Sequence, residues 1–329
     1  MLTRLIRHAV VAVLIAAGSA PTSAAVAAAL LREFAYVVNV GSNTVSVINT
    51  ETDTVIAAIP VGDTPTAAAV TPDGHHGYVT NAGSDTVSVI NSIRATIPVG
   101  DFPNDVAITP DGHHAYVTNA GSDTVSVIDI ATNTVTGTIP VGDSPGDVAI
   151  TPDGTRAYVL NLGSSTLTVI DTATETVTDT IPIDFSFFPQ QVAITPDGGQ
   201  AYVGSNTADT MLVIDLATNT ITDDIPIGNS LDGIAISPDG SRAYVVSVVQ
   251  EGESTPGVVS VIDIATKTVI GTIPAGDSSQ DVAITPDGGH IYVADFGSDT
   301  VTVIDTATNT VTRTIPVGDR PISVAIGHL

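Results

Sequence analysis

Three aspartates, Asp105, Asp147 and Asp281, each open the same phrase, Asp-Val-Ala-Ile-Thr-Pro-Asp-Gly. Gln191 stands at the same place in a fourth copy, Asp232 lies one step ahead of it in a fifth, and Ala67, Gly233 and Ser323 fill the remaining places. If the copies are arranged around one axis, Asp105, Asp147, Gln191, Asp232 and Asp281 gather at a channel mouth. Carboxylates converging there could hold Ca²⁺ or Mg²⁺, whose ligands are oxygens. The same repetition has a plainer explanation, because aspartates in tight turns accept backbone N–H bonds and are copied along with the turn. Asp105, Asp147 and Asp281 are the members that the turn explanation covers least, and they are the expected metal ligands if there is a metal.

Other chemistry is mostly absent. There is no Cys, hence no thiol nucleophile, thiolate site or disulfide. His75-His76 and His113-His114 fall in equivalent turns of neighbouring copies, with His290 in a third. They are expected to be solvated turn residues, distant from the acidic ring. His328 is close to the terminus, so a Ser-His-Asp arrangement has no base near the abundant Ser and Asp. No glycine-rich loop opens a helix to cradle a phosphate. No catalytic residue is assigned.

The elements that position these groups are repeated. All seven tyrosines precede Val, at Tyr36, Tyr78, Tyr116, Tyr158, Tyr202, Tyr244 and Tyr292, spaced by 42, 38, 42, 44, 42 and 48 residues. A fixed period of this size marks a solenoid or a ring. Within each copy, short β-branched runs alternate with turn residues and show no helical period. Four strands per copy follow: A (Asp-Val-Ala-Ile), B (Ala-Tyr-Val-Thr-Asn), C (Thr-Val-Ser-Val-Ile) and D (Thr-Val through Ile-Pro-Val). The A-to-B turn is Thr-Pro-Asp-Gly, and the C-to-D turn is Ala-Thr-Asn-Thr. Ile-Pro recurs in all seven copies of strand D. Proline lacks the N–H that an interior strand donates, so D belongs at a sheet edge and A at the axis.

The ends of the pattern predict closure. The first copy begins at strand B near Phe34, and the chain finishes on Pro321-Ile322-Ser323-Val324-Ala325-Ile326, a strand A with nothing after it. Lending it to the first sheet completes seven four-stranded blades and removes the free edge at the join. The expected fold is an all-β, seven-bladed propeller with four antiparallel strands per blade.

These phrases, above all Tyr78-Val79-Thr80-Asn81, resemble the YVTN family of β-propeller repeats, over residues 34–326. The resemblance implies a YncE/lactonase-like superfamily that includes secreted and surface proteins, binding modules, lactonase-like enzymes and redox propellers. It speaks for the fold and leaves the task open.

In such a ring the B-to-C and D-to-A loops share one rim. A six-residue insertion within residues 250–256, carrying Glu251 and Glu253, falls in a B-to-C loop, and a two-residue insertion within 184–189 falls in a D-to-A loop. Phe102, Phe185, Phe187, Phe188 and Phe296 are on the same rim. A four-residue deletion near 91–94 is on the other. Aromatics on loops either anchor a partner or plug the channel mouth. The expected function is a secreted or surface-exposed module binding a protein or glycan through the first rim. The alternative is a lactonase-like hydrolase or lyase dependent on a divalent cation at the channel mouth.

Residues 1–8 carry Arg4 and Arg7, residues 9–17 are apolar, and small residues follow, the pattern of a secretory signal. The expected division is a signal over 1–27 and a propeller over 28–329, with export, no membrane attachment after cleavage, and a monomer. With 35 acidic residues against 9 basic ones, a net charge of -26, binding to nucleic acid or to anionic lipid is excluded as an expectation.

Overall fold

The computed structural model describes residues 32–91, 94–184, 189–205, 209–228, 230–248 and 255–328. Over these residues every regular element is a strand, β1 to β28 in chain order. They form seven antiparallel four-stranded sheets. The first contains β28 (Pro321–His328), β1 (Glu33–Asn39), β2 (Thr44–Asn49) and β3 (Thr54–Pro60), in that order. The last strand pairs with the first from Glu33↔His328 to Asn39↔Pro321, so the ring closes as expected.

Each proline of the Ile-Pro pair lies in an outermost strand, ending it in six of the seven blades, where a missing N–H costs no ladder bond. The isoleucine before it turns inward. Ile139, Ile181, Ile225, Ile273 and Ile315 are buried between blades. The core is a set of seams between successive sheets. In one of them Tyr158, Leu167, Val169 and Ile181 of the fourth blade pack on Val192, Val203 and Ile214 of the fifth. All seven tyrosines are fully buried as rings, and several hydroxyls reach into the C-to-D turn of the next blade: Tyr78 donates to Asn133 at 2.6 Å and Tyr158 to Asn219 at 3.0 Å, whereas Tyr202 bonds Gln200 of its own strand. The repeated tyrosine therefore joins blade to blade, by apolar area at the ring and by a hydrogen bond at the tip.

Turn chemistry follows the sequence closely. In the A-to-B turn Gly112 takes φ +72°, and the Asp111 carboxylate accepts from Thr109 at 2.6 Å and from the His113 N–H at 3.0 Å. The left-handed position of the C-to-D turn is in the expected place but is not reserved for Asn. Asp53, Glu175 and Lys267 occupy it in other blades.

Two expectations need correction. The inner strands begin two residues earlier than the Asp-Val-Ala-Ile phrase. They run, for example, over Pro103–Ile108, Pro145–Ile150 and Pro321–His328. Asp105 and Asp147 are thus inside strands, next to a bulge, and do not precede them. Strand D stops at its proline, as in Thr134–Pro140, except in the sixth blade, where it extends over Thr268–Asp277.

Candidate functional site

The bulge positions the axial site. In the inner strands the ladder skips one residue, Gly146, Gln190, Asp232 or Gln280, between the strand start and the position of Asp147, Gln191, Gly233 or Asp281. A bulge re-aims side chains, and here consecutive residues of one strand both line the axial channel. Asp105, Asp147, Gln191, Asp232 and Asp281 surround one cavity of about 170 Å³, together with Gln190 and Gln280. Asp232 is one step early in the sequence because it fills the bulge itself.

The carboxylates are engaged by backbone. Asp105 Oδ2 accepts the Val148 N–H at 3.0 Å, Asp147 Oδ2 that of Val192 at 2.6 Å, and Asp281 Oδ2 that of Val324 at 2.9 Å. Gln191 Oε1 accepts from the Ile234 N–H in the same way. Each of these side chains caps the inner strand of the next blade, at an N–H that this edge strand turns toward the axis, away from its one ladder partner. Gly233 cannot do so, and Asp281 supplies its own Oδ1 to the Val282 N–H at 2.8 Å. Glycine is required there, since a Cβ would sit 2.9 Å from Asp281 Cα.

Asp105 and Asp147 also hydrogen-bond to each other. Both keep some surface open to the channel, yet protein surrounds them on every side. Burial raises both, and the neighbouring Asp105 charge pushes Asp147 well above the usual carboxylate range. The two carboxyls titrate as a pair, with protonation favoured by burial and by their mutual repulsion. Burial lifts Asp281 to about 6 against its two backbone donors, and lifts Asp232 to about 6 on its own.

This arrangement does not fit the cation expectation for Asp105, Asp147 and Asp281. Ca²⁺ takes six to eight oxygens, whereas one oxygen of each of these carboxylates already accepts a backbone N–H. Among the described residues no three His, Asp or Glu side chains come together as a metal site requires. The turn histidines are outside the channel: His75 bonds Asp73 at 3.0 Å on the surface.

The rim with the B-to-C and D-to-A loops is a second candidate. In five of the D-to-A turns a non-glycine residue takes a left-handed conformation: Thr64, Phe102, Ser144, Ser278 and Arg320, with φ between 49° and 56°. Its backbone is fully engaged at four of these sites. The N–H of Thr64, Phe102, Ser144 and Arg320 bonds Asn43, Asp85, Asp123 and Asp299 at 3.0, 2.9, 2.8 and 2.7 Å. The carbonyl accepts from the next blade, as in Ala120 N–H to Phe102 at 2.9 Å. The aspartates of Gly-Ser-Asp are therefore struts of this rim. The side chain at the left-handed position is left to vary on a constant backbone. Phe102 is 58% exposed, and Phe296 is half-buried under the Arg320 guanidinium, 5.8 Å from its ring centre. Phe185, Phe187, Phe188, Glu251 and Glu253 are outside the described residues. Sequence reasoning missed the ring of left-handed positions, whose only signal is that one variable residue always stands between Gly-Asp and the next strand.

Comparison with known proteins agrees with this architecture. No curated protein matches the chain. Hydrazine synthase of Kuenenia stuttgartiensis is 27% identical, with 83% of this chain and 92% of that one covered at a TM-score of 0.75. A functionally unknown protein from Desulfotomaculum acetoxidans is 20% identical over 90% of this chain and 99% of that one, with a TM-score of 0.78. A Bacteroides uniformis protein provisionally assigned as a 6-phosphogluconolactonase is 17% identical over 90% and 99%, at 0.73. At these last identities the likeness concerns the fold. Residues 104–197 match the model of the YNCE-like β-propeller, and the unit matched there recurs around the closed ring of seven sheets, so this chain is a seven-bladed propeller similar to the YncE/YVTN type.

Proposed function

We propose that this protein is an exported binding module that captures a protein or glycan partner on the rim of B-to-C and D-to-A loops. The observation that carries it is Phe102. A phenylalanine at φ 56° is strained by about 1 kcal/mol relative to glycine, and more than half of this one faces solvent. A position that serves only the turn favours Gly or Asn, and hiding the ring would favour burial. Display of an apolar anchor supports neither of those ends and supports contact with a partner. Export rests on the leader pattern of residues 1–27 and the strongly acidic surface. The test is capture from an extracellular extract or a glycan array by the mature protein and by Phe102→Ser. Equal capture by both, or capture of nothing by either, overturns the proposal.

A second reading is supported by the Asp105–Asp147 pair. A carboxyl whose proton affinity is raised by burial and by a neighbouring carboxylate, lining a cavity of about 170 Å³, is suited to act as a general acid. On this reading the protein is a hydrolase or lyase for a small neutral substrate such as a lactone, using proton transfer in place of a cation. Lactone turnover by the wild type that Asp147→Ala abolishes is the supporting result, and turnover equal to buffer removes it.

A further inference from the structure

The outer strands of the blades carry polar residues where their edges meet solvent. Thr134–Pro140 reads Thr-Val-Thr-Gly-Thr-Ile-Pro, Thr176–Pro182 contains Asp179, Thr220–Pro226 contains Asp223 and Asp224, and Thr310–Pro316 contains Arg313. Charges and hydroxyls on an edge strand discourage pairing with another chain. At the bulge of these strands Thr136, Thr178, Thr222 and Thr312 turn back to a carbonyl of strand C at 3.2–3.3 Å.

The first blade departs from this. Its edge, β3, reads Thr-Val-Ile-Ala-Ala-Ile-Pro, with no polar side chain between Thr54 and Pro60. Ile56 replaces the bulge threonine and is 55% exposed, and Val55 is 39% exposed. Nearest to it is the sixth blade's edge, which has Ile270 but retains Thr272.

The neighbouring blade opens space beside this edge. The four-residue deletion shortens its outer strand, β7, to Ala95–Pro98, and the ladder with β6 (Thr86–Asn91) runs only from Thr86↔Pro98 to Val89↔Ala95. Ile59 of β3 is consequently half-open, whereas its equivalents Ile139 and Ile225 are buried. Between the two blades lies a groove of about 510 Å³, walled by Ile59, Val61, Val89, Ile90 and Ala95, with Arg94 on the second blade's side. This is enough room for several apolar side chains.

We propose that β3 and this groove form a docking site for an extended apolar peptide segment flanked by basic residues, added as a fifth strand to the first blade. Strand addition uses the outward N–H and C=O groups of β3 for affinity, and every second side chain of the peptide enters the groove for specificity. The basic flanks follow from charge. Glu51 stands at the entry to β3 and Asp63 just past its end, on a molecule with a net charge of -26. The same charge opposes a second copy of the chain as the occupant, and one seven-residue edge buries less area than a stable dimer needs. The groove reaches the loop rim at Gly62, Asp63 and Ser84, but Phe102 is not among the residues that line it, so Phe102→Ser separates its test from that of the proposed function.

The probe is an acetylated peptide of alternating Val and Thr with two Lys at each end, titrated calorimetrically at low salt. The wild type is expected to bind it with a micromolar Kd. Ile56→Lys, at an exposed position, is expected to keep the melting temperature and to weaken binding about tenfold or more. A peptide N-methylated at alternate residues is expected not to bind, and Phe102→Ser to bind normally. The proposal is overturned by no wild-type binding at millimolar peptide, by equal binding to Ile56→Lys, or by equal binding of the N-methylated peptide. Sedimentation supplies the last outcome: a dimer that Ile56→Lys dissociates would overturn the peptide as occupant in favour of a second copy.

Discussion

The Tyr292 hydroxyl donates to the Asp53 carboxylate at 2.9 Å, joining the seventh blade to the first across 239 residues of chain. It is the same bond that Tyr78 and Tyr158 make to Asn133 and Asn219, now spanning the closure. Burial raises the Tyr292 phenol, and the bond to Asp53 raises it further, so it stays protonated and donating at any physiological pH. Asp53 also receives Arg313 at 3.6 Å.

Tyr292→Phe is expected to lower stability by about 1 kcal/mol, because the ring remains buried and only the hydroxyl bond is lost. Tyr202, whose hydroxyl bonds Gln200 of its own strand at 3.1 Å, serves as the comparison. Tyr202→Phe is expected to cost less than Tyr292→Phe in urea unfolding.

Asp232 has its pKa raised to about 6 by burial. An unfolded aspartate titrates near 3.9, so between about pH 4 and 6 the folded protein holds more protons than the unfolded chain. Stability from this group is present below pH 4, falls as pH rises through 6, and is level above. Asp232→Asn is expected to match the wild type at pH 4 and to exceed it by about 1–2 kcal/mol at pH 7.5, after allowance for channel water. Melting temperatures at the two pH values check this.

Asp147 stands in hydrogen-bond contact with Asp105 and accepts from the Val192 N–H. Asn keeps both a donor and an acceptor, whereas Ala removes both and strands a backbone N–H. Asp147→Asn is therefore expected to be neutral or stabilising at pH 7, and Asp147→Ala to cost about 1–3 kcal/mol. If Ca²⁺ raised the wild-type melting temperature and failed to raise that of Asp147→Asn, the backbone-capping role assigned to this ring would be wrong.

Phe102→Gly is expected to stabilise the protein by about 1 kcal/mol by relieving the left-handed strain. A destabilisation would mean that the ring packs on the rim and is structural. Chemical denaturation of the two proteins separates these outcomes.

Much of the architecture is legible in the residues. Seven Tyr-Val pairs set the blade count, Ile-Pro places the outer strand, and the orphan strand at 321–326 predicts the closure seen from Glu33↔His328 onward. The grouping of Asp105, Asp147, Gln191, Asp232 and Asp281 about one cavity follows from the same alignment. What the carboxylates do there does not follow, since a cation and a backbone N–H ask for the same oxygen. The difference is made by the free edge of the inner strand, which turns an N–H toward the preceding blade's carboxylate, and by the bulge that re-aims that carboxylate; a bulge in a copied strand has no sequence signature of its own. The apolar run Val55-Ile56-Ala57-Ala58-Ile59 is plain in the sequence, but its exposure depends on how far the shortened second blade withdraws from it.

Because β28 supplies the innermost strand of the sheet that also holds β1, the first blade is incomplete until the final eight described residues have left the ribosome. Blades two to seven are each contiguous in sequence and are free to assemble in the order of synthesis. The N-terminal blade, made first, is finished last. A nascent chain stalled anywhere before Pro321 is thus an open arc with two uncovered faces, and whatever accompanies it during that interval must shield them.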